Sequence, residues 1–376
     1  MKLIHLSDLH LGKKVNEFSM IKDQEYILKE IIEITKEQKA DGVIVAGDVF
    51  DRGVPPEEAI KLWDQFLVSL SKADIPVYVI SGNHDSAVRL SEHSSLIENN
   101  GIFVSPKFEG EVKVCRLEDQ YGSLNIYLLP FVKPADVKRF YPDEEISDYT
   151  DALRAIIDGL DIDNAVRNVL VAHQFVTGAS RCESEEIIVG GLDNVDASVF
   201  DVFDYVALGH IHGKQKIGRD TVRYCGTPLK YSFSEKDHVK SVSLVDIKSK
   251  GDIEISEVEL KPLHDMREIK GKYDDLVLKE NYEGTDVEDY IHAVLTDEDD
   301  VMEAISRLRA IYPNIMKLSY DNTRTRTNQV IGDAAYIEDK SPLELFGELF
   351  EKQNNQPMSE EQEQFVAEQI EAIWHD

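Results

Sequence analysis

Short apolar runs punctuate the first third of the chain, and between them apolar residues recur at helical spacing, the pattern of βαβ units around a largely parallel sheet. Lys2 to Leu6, Val43 to Ala46 and Val77 to Ile80 read as strands. Residues 22–38 place Tyr26, Ile27, Ile31 and Ile34 on one face of an amphipathic helix. A second helix, from about Pro56 to Leu70, opens with proline at a helix start.

Beyond residue 100 the texture becomes more strand-like: Leu124 to Leu129, Val169 to Ala172, Tyr205 to Leu208, and further strands from Val239 to Val258. The economical architecture is α/β, two sheets packed face to face as a β-sandwich flanked by helices. The pattern breaks near Pro262, and Met266 to about Tyr320 reads strand, helix, strand, helix, strand, a small α+β unit whose clearest helix is Val301 to Ile311. A polar stretch follows. Two helices close the chain, one stacking Leu345, Phe346, Leu349 and Phe350, the other Val366, Ile370, Ile373 and Trp374. The expected segments are therefore 1–262, 263–322, a linker at 323–340, and 341–376.

A net charge of −31 changes the picture, because such a surface repels a phosphate backbone unless cations or a basic partner intervene. Three cysteines, Cys115, Cys182 and Cys225, form no CxxC pair and argue for a reducing compartment rather than a disulfide framework. The first residues lack a long apolar stretch, and nowhere do eighteen apolar residues run together. These features lead us to expect a cytoplasmic protein.

The apolar runs end in chemistry. Lys2 to Leu6 is followed by Asp8 and His10, Val43 to Ala46 by Asp48 and Asp51, and Val77 to Ile80 by Asn83 and His84. Val169 to Ala172 ends in His173, and Tyr205 to Leu208 leads to His210 and His212. Ligands of open α/β sheets bind outside the carboxyl ends of the strands, so the five tips can meet in one crevice. Oxygen and imidazole donors without thiolate suit Mn, Fe or Zn. A carboxylate can span two metals where an imidazole serves one, which makes Asp48, on the central strand, the expected bridge. A pair of ions roughly 3.5–4 Å apart can clamp a phosphate and activate water for in-line displacement. Asp51 is expected to accept a hydrogen bond from His84, whose ring would face the leaving oxygen. Gly47, Gly82 and Gly209 precede ligands, where a missing side chain lets backbone turn or approach. Taken singly, Asp-x-His is an ordinary turn, a lone His173 an ordinary core histidine, and G-D-x-x-D a common loop; five together on strand ends are not.

These residues, as D-x-H, G-D-x-x-D, G-N-H-D, an isolated histidine and G-H-x-H, resemble the calcineurin-like metallophosphoesterase superfamily. Within it the chain resembles the bacterial double-strand-break repair nucleases, through "HLSDLHLGK" (5–13), "GDVFDRGVPP" (47–56), "SGNHDSAVRL" (81–90), "LGHIHGKQ" (208–215), "GTPLKYSFSE" (226–235) and "PLHDMREIKG" (262–271). The resemblance implies a phosphoesterase domain over 1–262, a capping domain over 263–322, and a helical segment at 341–376 that binds an SbcC-like ATPase. It implies Asp8, His10, Asp48 and His212 around one metal, and Asp48, Asn83, His173 and His210 around the other. His84 is then the catalytic histidine that binds no metal. Implied too are two divalent ions, Mn2+ before Mg2+, cleavage of double-stranded DNA ends and hairpins in repair, recombination and replication, and a homodimer within a heterotetramer. Asp51 stands where some archaeal relatives carry a histidine linked to exonuclease action, so that role does not transfer. Arg89 and Lys230 are weaker candidates for touching DNA phosphate. A Ser/Thr protein phosphatase, suggested by "GDVFDRG", or another small-substrate phosphodiesterase, is the alternative.

Overall fold

In the computed structural model, the described residues are 1–91, 97–185, 194–325, 343, 346–347, 350 and 358–374. They fall into two units, Met1–Arg267 and Glu268–Asp376.

The first unit is built on two six-stranded sheets. One runs in the order Ile253–Glu259, Ser241–Ile247, Lys2–Leu6, Gly42–Ala46, Val77–Ile80, Ile102–Ser105. Its last four strands are mutually parallel. The other runs Gln215–Ile217, Arg219–Tyr224, Tyr205–Gly209, Arg167–His173, Gly122–Leu129, Lys113–Asp119, with four parallel strands at its centre. Strands covered on both faces read as unbroken apolar runs, and this explains why the sequence marks them so clearly. Side chains alternate along each strand. Val169 and Val171 enter the core that also holds Leu3, Ile44, Ala46, Tyr78, Ile126 and Ala207. Leu170 and Ala172 face a second core with Leu153, Ile156, Phe200 and Phe203.

The helix expected at 22–38 is Ile21–Glu37, which buries Ile27, Leu28, Ile31, Ile32 and Ile34. Tyr26 does not belong to that face and is 42% exposed. The helix expected from Pro56 is Glu57–Ser71, with Pro56 as its N-cap.

The second unit carries a three-stranded sheet, Met266–Gly271, Tyr290–Leu295 and Ile315–Tyr320, of which the last two are parallel. Its core gathers Tyr273, Ile291, Leu295, Leu308 and Ile315. The helix expected at Val301 to Ile311 is only Ala304–Leu308, because Glu303 at its start adopts a left-handed backbone with φ 52°. The helix Glu360–Trp374 is also present. Of the linker only 323–325 are described, and Leu345 and Leu349 lie outside the described residues. Among the described residues no helix is long and apolar enough to cross a membrane.

Candidate metal centre

Asp8, His10, Asp48 and His210 all have positive φ, at 52°, 44°, 50° and 101°. Side-chain-bearing residues rarely take such angles, and strain of this kind gathers where function demands a side-chain direction. Backbone bonds hold the turns in place: Asp8 N donates to Gly47 O and His10 N to Asp48 O, both at 3.0 Å. Gly47 itself sits at φ 87°, and a Cβ there would collide with the His173 ring. A Cβ on Gly82 would strike the Asp48 carboxylate, and one on Gly209 the Ala46 carbonyl. The three glycines singled out in the sequence are thus the places where the strand tips press together.

All five tips meet. Asp48 Oδ2 lies 3.4 Å from His173 Nε2, 3.8 Å from His10 Nε2 and 3.9 Å from His84 Nε2. His10 Nε2 is 3.1 Å from His212 Nε2. Asn83 Oδ1 lies 3.0 Å from His173 Nε2 and 2.9 Å from His210 Nδ1. The Asp8 carboxylate accepts from His210 N at 3.1 Å. Three groups have donor atoms close enough to share a cation: Asp8, His10 and His212; Asp8, Asp48 and His173; and His10, Asp48 and His84. The third leaves His84 open, by geometry, to a ligand role as well.

Electrostatics follow from burial. Desolvation holds His10 and His212 well below the ordinary imidazole range and His210 at about 3, so these three rings are neutral, the form that binds metals. Burial also pushes Asp8 up to about 7. At His173 burial works downward, but the Asp48 and Asp8 carboxylates outweigh it and raise the ring to about 9. Burial likewise opposes ionisation of Asp48, yet His173 and its neighbours hold its carboxyl far below the usual range. His10 Nδ1 is buried without a hydrogen-bond partner. Buried carboxylates facing neutral imidazoles, with an orphaned ring nitrogen, form a donor set that fits divalent cations. Cys225, nearby through Ser7, is kept a thiol by burial, at about 12, and adds no soft ligand.

Second contacts set the rings. His173 Nδ1–H donates to Ala46 O at 2.8 Å, leaving Nε2 free toward the centre. The expectation for Asp51 is corrected: His84 Nδ1 meets the backbone carbonyl of Asp51 at 3.0 Å, not its carboxylate. Lys13 Nζ draws that carboxylate away, at 2.8 Å, because an ammonium is the stronger attraction. The Lys230 ammonium is engaged by Asp265 at 2.8 Å and by Lys236 O at 2.6 Å. Arg89 is exposed on the short helix Ala87–Leu90.

Other residues at the site carry no signal of a role in the sequence. The Asp85 carboxylate accepts from Val49 N, Phe50 N and Gly82 N at 2.9–3.1 Å, tying the Asp48 turn to the Asn83 turn. It is legible only as the last letter of G-N-H-D. Around His212 stand Ser184, Glu185, Glu235 and Lys240. A cleft of about 580 Å3 opens beside them, lined by Arg181, Lys214 and His238 among others. Arg181 lies 3.6 Å over the Phe175 ring.

The calcineurin-like phosphoesterase family matches residues 1–214, and the type 5 capsule protein repressor C-terminal domain matches residues 262–354. The SbcD subunit of nuclease SbcCD from Staphylococcus epidermidis is 32% identical over 325 residues, 85% of this chain and 85% of its own length. Matched solved structures include a dimetal phosphatase from Danio rerio, at 11% identity and a TM-score of 0.41, covering 70% of this chain and 98% of the other. A 5'-nucleotidase precursor from Thermus thermophilus is matched at 11% identity and a TM-score of 0.39, covering 70% and 54%. The chain belongs to the calcineurin-like phosphoesterases and, within them, to the SbcD nuclease subunits, which are metal-dependent phosphodiester hydrolases.

Proposed function

We propose that the chain hydrolyses phosphodiester bonds at double-stranded DNA ends and hairpins, in repair, recombination and replication, together with an SbcC-like ATPase in the cytoplasm. The observation that carries this reading is the approach of three imidazoles to one oxygen of a buried aspartate, Asp48 Oδ2, within 3.4–3.9 Å. Asp8, His10, Asp48 and His212 would hold one divalent ion, and Asp48, Asn83, His173 and His210 the other. Mn2+ is the favoured ion, with Mg2+ second, on a donor set of oxygen and imidazole nitrogen. When bound, such a pair supplies charge for the phosphate and an activated water.

The chain's own residues supply the rest. Asp48 would be shared by both ions, and its Oδ1 accepts from His84 N at 2.9 Å. That bond places His84 beside the centre while its ring, 16% exposed against 0–2% for Asp48, His10 and His173, stays accessible to substrate. With Nδ1–H given to Asp51 O, His84 turns Nε2 to the reacting phosphate, and in its doubly protonated form it gives the Nε2 proton to the leaving oxygen, ending as the neutral Nδ1–H ring. Asp51 therefore serves His84 through its carbonyl.

The segment 341–376 carries nine acids and one lysine, and its apolar positions favour an ATPase partner. Phe346 and Phe365 are 43% and 63% exposed, and an apolar pocket of about 310 Å3 is lined by Phe346, Phe350, Met358, Gln362, Phe365 and Val366. A homodimer within a heterotetramer completes the proposed assembly, and the ATPase supplies the DNA affinity that the acidic surface lacks.

The test compares Mn2+-dependent cleavage of hairpin and duplex DNA with hydrolysis of p-nitrophenyl phosphate and a phosphopeptide, for wild type and His84→Gln. DNA cleavage should fall by roughly 10²- to 10⁴-fold in the variant, the usual worth of a general acid, with Mn2+ stoichiometry unchanged. A wild type that prefers the phosphopeptide and leaves both DNAs intact would overturn the reading.

A further inference from the structure

The stretch "GTPLKYSFSE" ends in Glu235, an acid with no exposed surface and no place among the metal-ligand candidates. Its two oxygens are crowded with donors. Oε2 receives Lys240 Nζ at 2.6 Å, and Oε1 receives Tyr231 N at 3.2 Å, Ser232 Oγ at 3.2 Å and Ser184 Oγ at 2.6 Å. Lys240 is itself buried and donates onward to Thr227 Oγ1 at 2.7 Å and to His212 O at 3.0 Å. Ser184 Oγ is also 2.7 Å from His212 Nδ1. His212 N donates to Glu185 Oε1 at 2.7 Å. The amide, carbonyl and ring of this one histidine are thus all held by a polar shell.

The order of protons in the shell is determined. A carboxylate beside an ammonium accepts only, so the Ser184 hydroxyl must donate to Glu235 Oε1. With its one proton spent, Ser184 Oγ can only accept from His212, and Nδ1 carries the hydrogen. A neutral ring with Nδ1–H has its lone pair on Nε2, the atom that faces Asp8 and His10.

We propose that Glu235 is a positioning residue: acting through Ser184, it fixes the tautomer of His212 and presents the Nε2 lone pair to a divalent cation. This rests on the reading of His212 as a metal ligand. The same logic serves His173, but there a backbone carbonyl accepts the proton and no side chain can be mutated to change it. At His212 the acceptor is a side chain, and the order of protons can be reversed.

Glu235→Gln is the reversing substitution. Lys240 will draw the amide oxygen to itself, turning the amide NH2 toward Ser184, which must then donate to His212 Nδ1 and leave the proton on Nε2. The tautomer is read in metal-free protein from the long-range imidazole ¹⁵N–¹H correlations of His212, and binding is read by calorimetry with Mn2+ alone. Wild type should show Nδ1–H, E235Q should show Nε2–H, and one Mn2+ should bind about 10- to 100-fold more weakly, the usual cost of losing an outer partner. Ser184→Ala should lose the fixed tautomer and Ser184→Thr should keep it, which tests the idea even if E235Q fails to fold. A wild-type tautomer and Mn2+ affinity in both E235Q and S184A, while His212→Ala loses one ion, would overturn the role of Glu235 alone. If H212A binds both ions normally, the ligand reading falls and the proposal with it.

Discussion

Asp48 is the residue on which the centre turns, and its neighbours predict what its loss would do. The carboxylate sits 2% exposed between His10, His84 and His173, and it does most to offset the cost of burial at the His173 ring. Asp48→Asn keeps the shape but removes the charge and replaces one of the two carboxylate oxygens with an amide nitrogen that cannot bind a cation. Calorimetry should show Mn2+ affinity falling beyond the roughly 100-fold expected for an outer partner, and DNA cleavage should be lost with it. Cleavage at the wild-type rate would show that the bridge lies elsewhere. The residues that meet at this centre are legible in the sequence because each follows closely on an apolar strand. Glu235 and Ser184 are not, since one ends the short 3-10 helix Phe233–Glu235, the other lies in a turn 51 residues earlier, and they meet only through a shared hydrogen bond. The carboxylate of Asp51 escapes a sequence reading because its competitor, Lys13, comes from a different turn.

Among the elements, the parallel strands are legible and the joints between the sheets are not. The strands announce themselves as apolar runs, whereas the clamp joining the two sheets is an arginine at the head of one such run. Arg167, 1% exposed, donates to Asp119 at 2.6 and 3.0 Å, to Ile247 O at 3.1 Å, to Lys248 O at 3.0 Å and to Gly122 O. It therefore fastens the hairpin strand Lys113–Asp119 of one sheet to the end of Ser241–Ile247 in the other. Arg167→Met should cost about 3 kcal/mol by denaturant unfolding, the low end for breaking a buried pair, because Asp119 keeps some access to water. The hydrogen bond from Arg167 also holds the Asp119 carboxyl well below its usual range. An acid depressed in the folded state stabilises it above the unfolded value, near pH ~3.9, and this contribution fades as pH falls through the lower folded value. Asp119→Asn should accordingly lower stability at neutral pH and flatten the loss below about pH 4. An acid limb unchanged in the variant would remove Asp119 from the account.

At the scale of the whole molecule the difficulty is charge, for 72 acids against 41 lysines and arginines must be reconciled with a polyanionic substrate. Cations at the centre neutralise phosphate only locally, and the long-range repulsion remains. A partner that carries the DNA would resolve this, and the docking site proposed for it is the last 36 residues, whose apolar positions recur at helical spacing among nine acids. Cutting the chain after Asp339 removes that segment without touching any residue within the first unit. The shortened chain should hydrolyse p-nitrophenyl phosphate at the full rate and fail to co-purify with the SbcC-like ATPase. Its duplex cleavage should no longer respond to the ATPase, whereas that of the full chain should rise when the ATPase is added. Equal duplex cleavage by the full chain with and without the ATPase would mean that the acidic surface admits DNA unaided, and retained co-purification would place the docking site elsewhere on the chain.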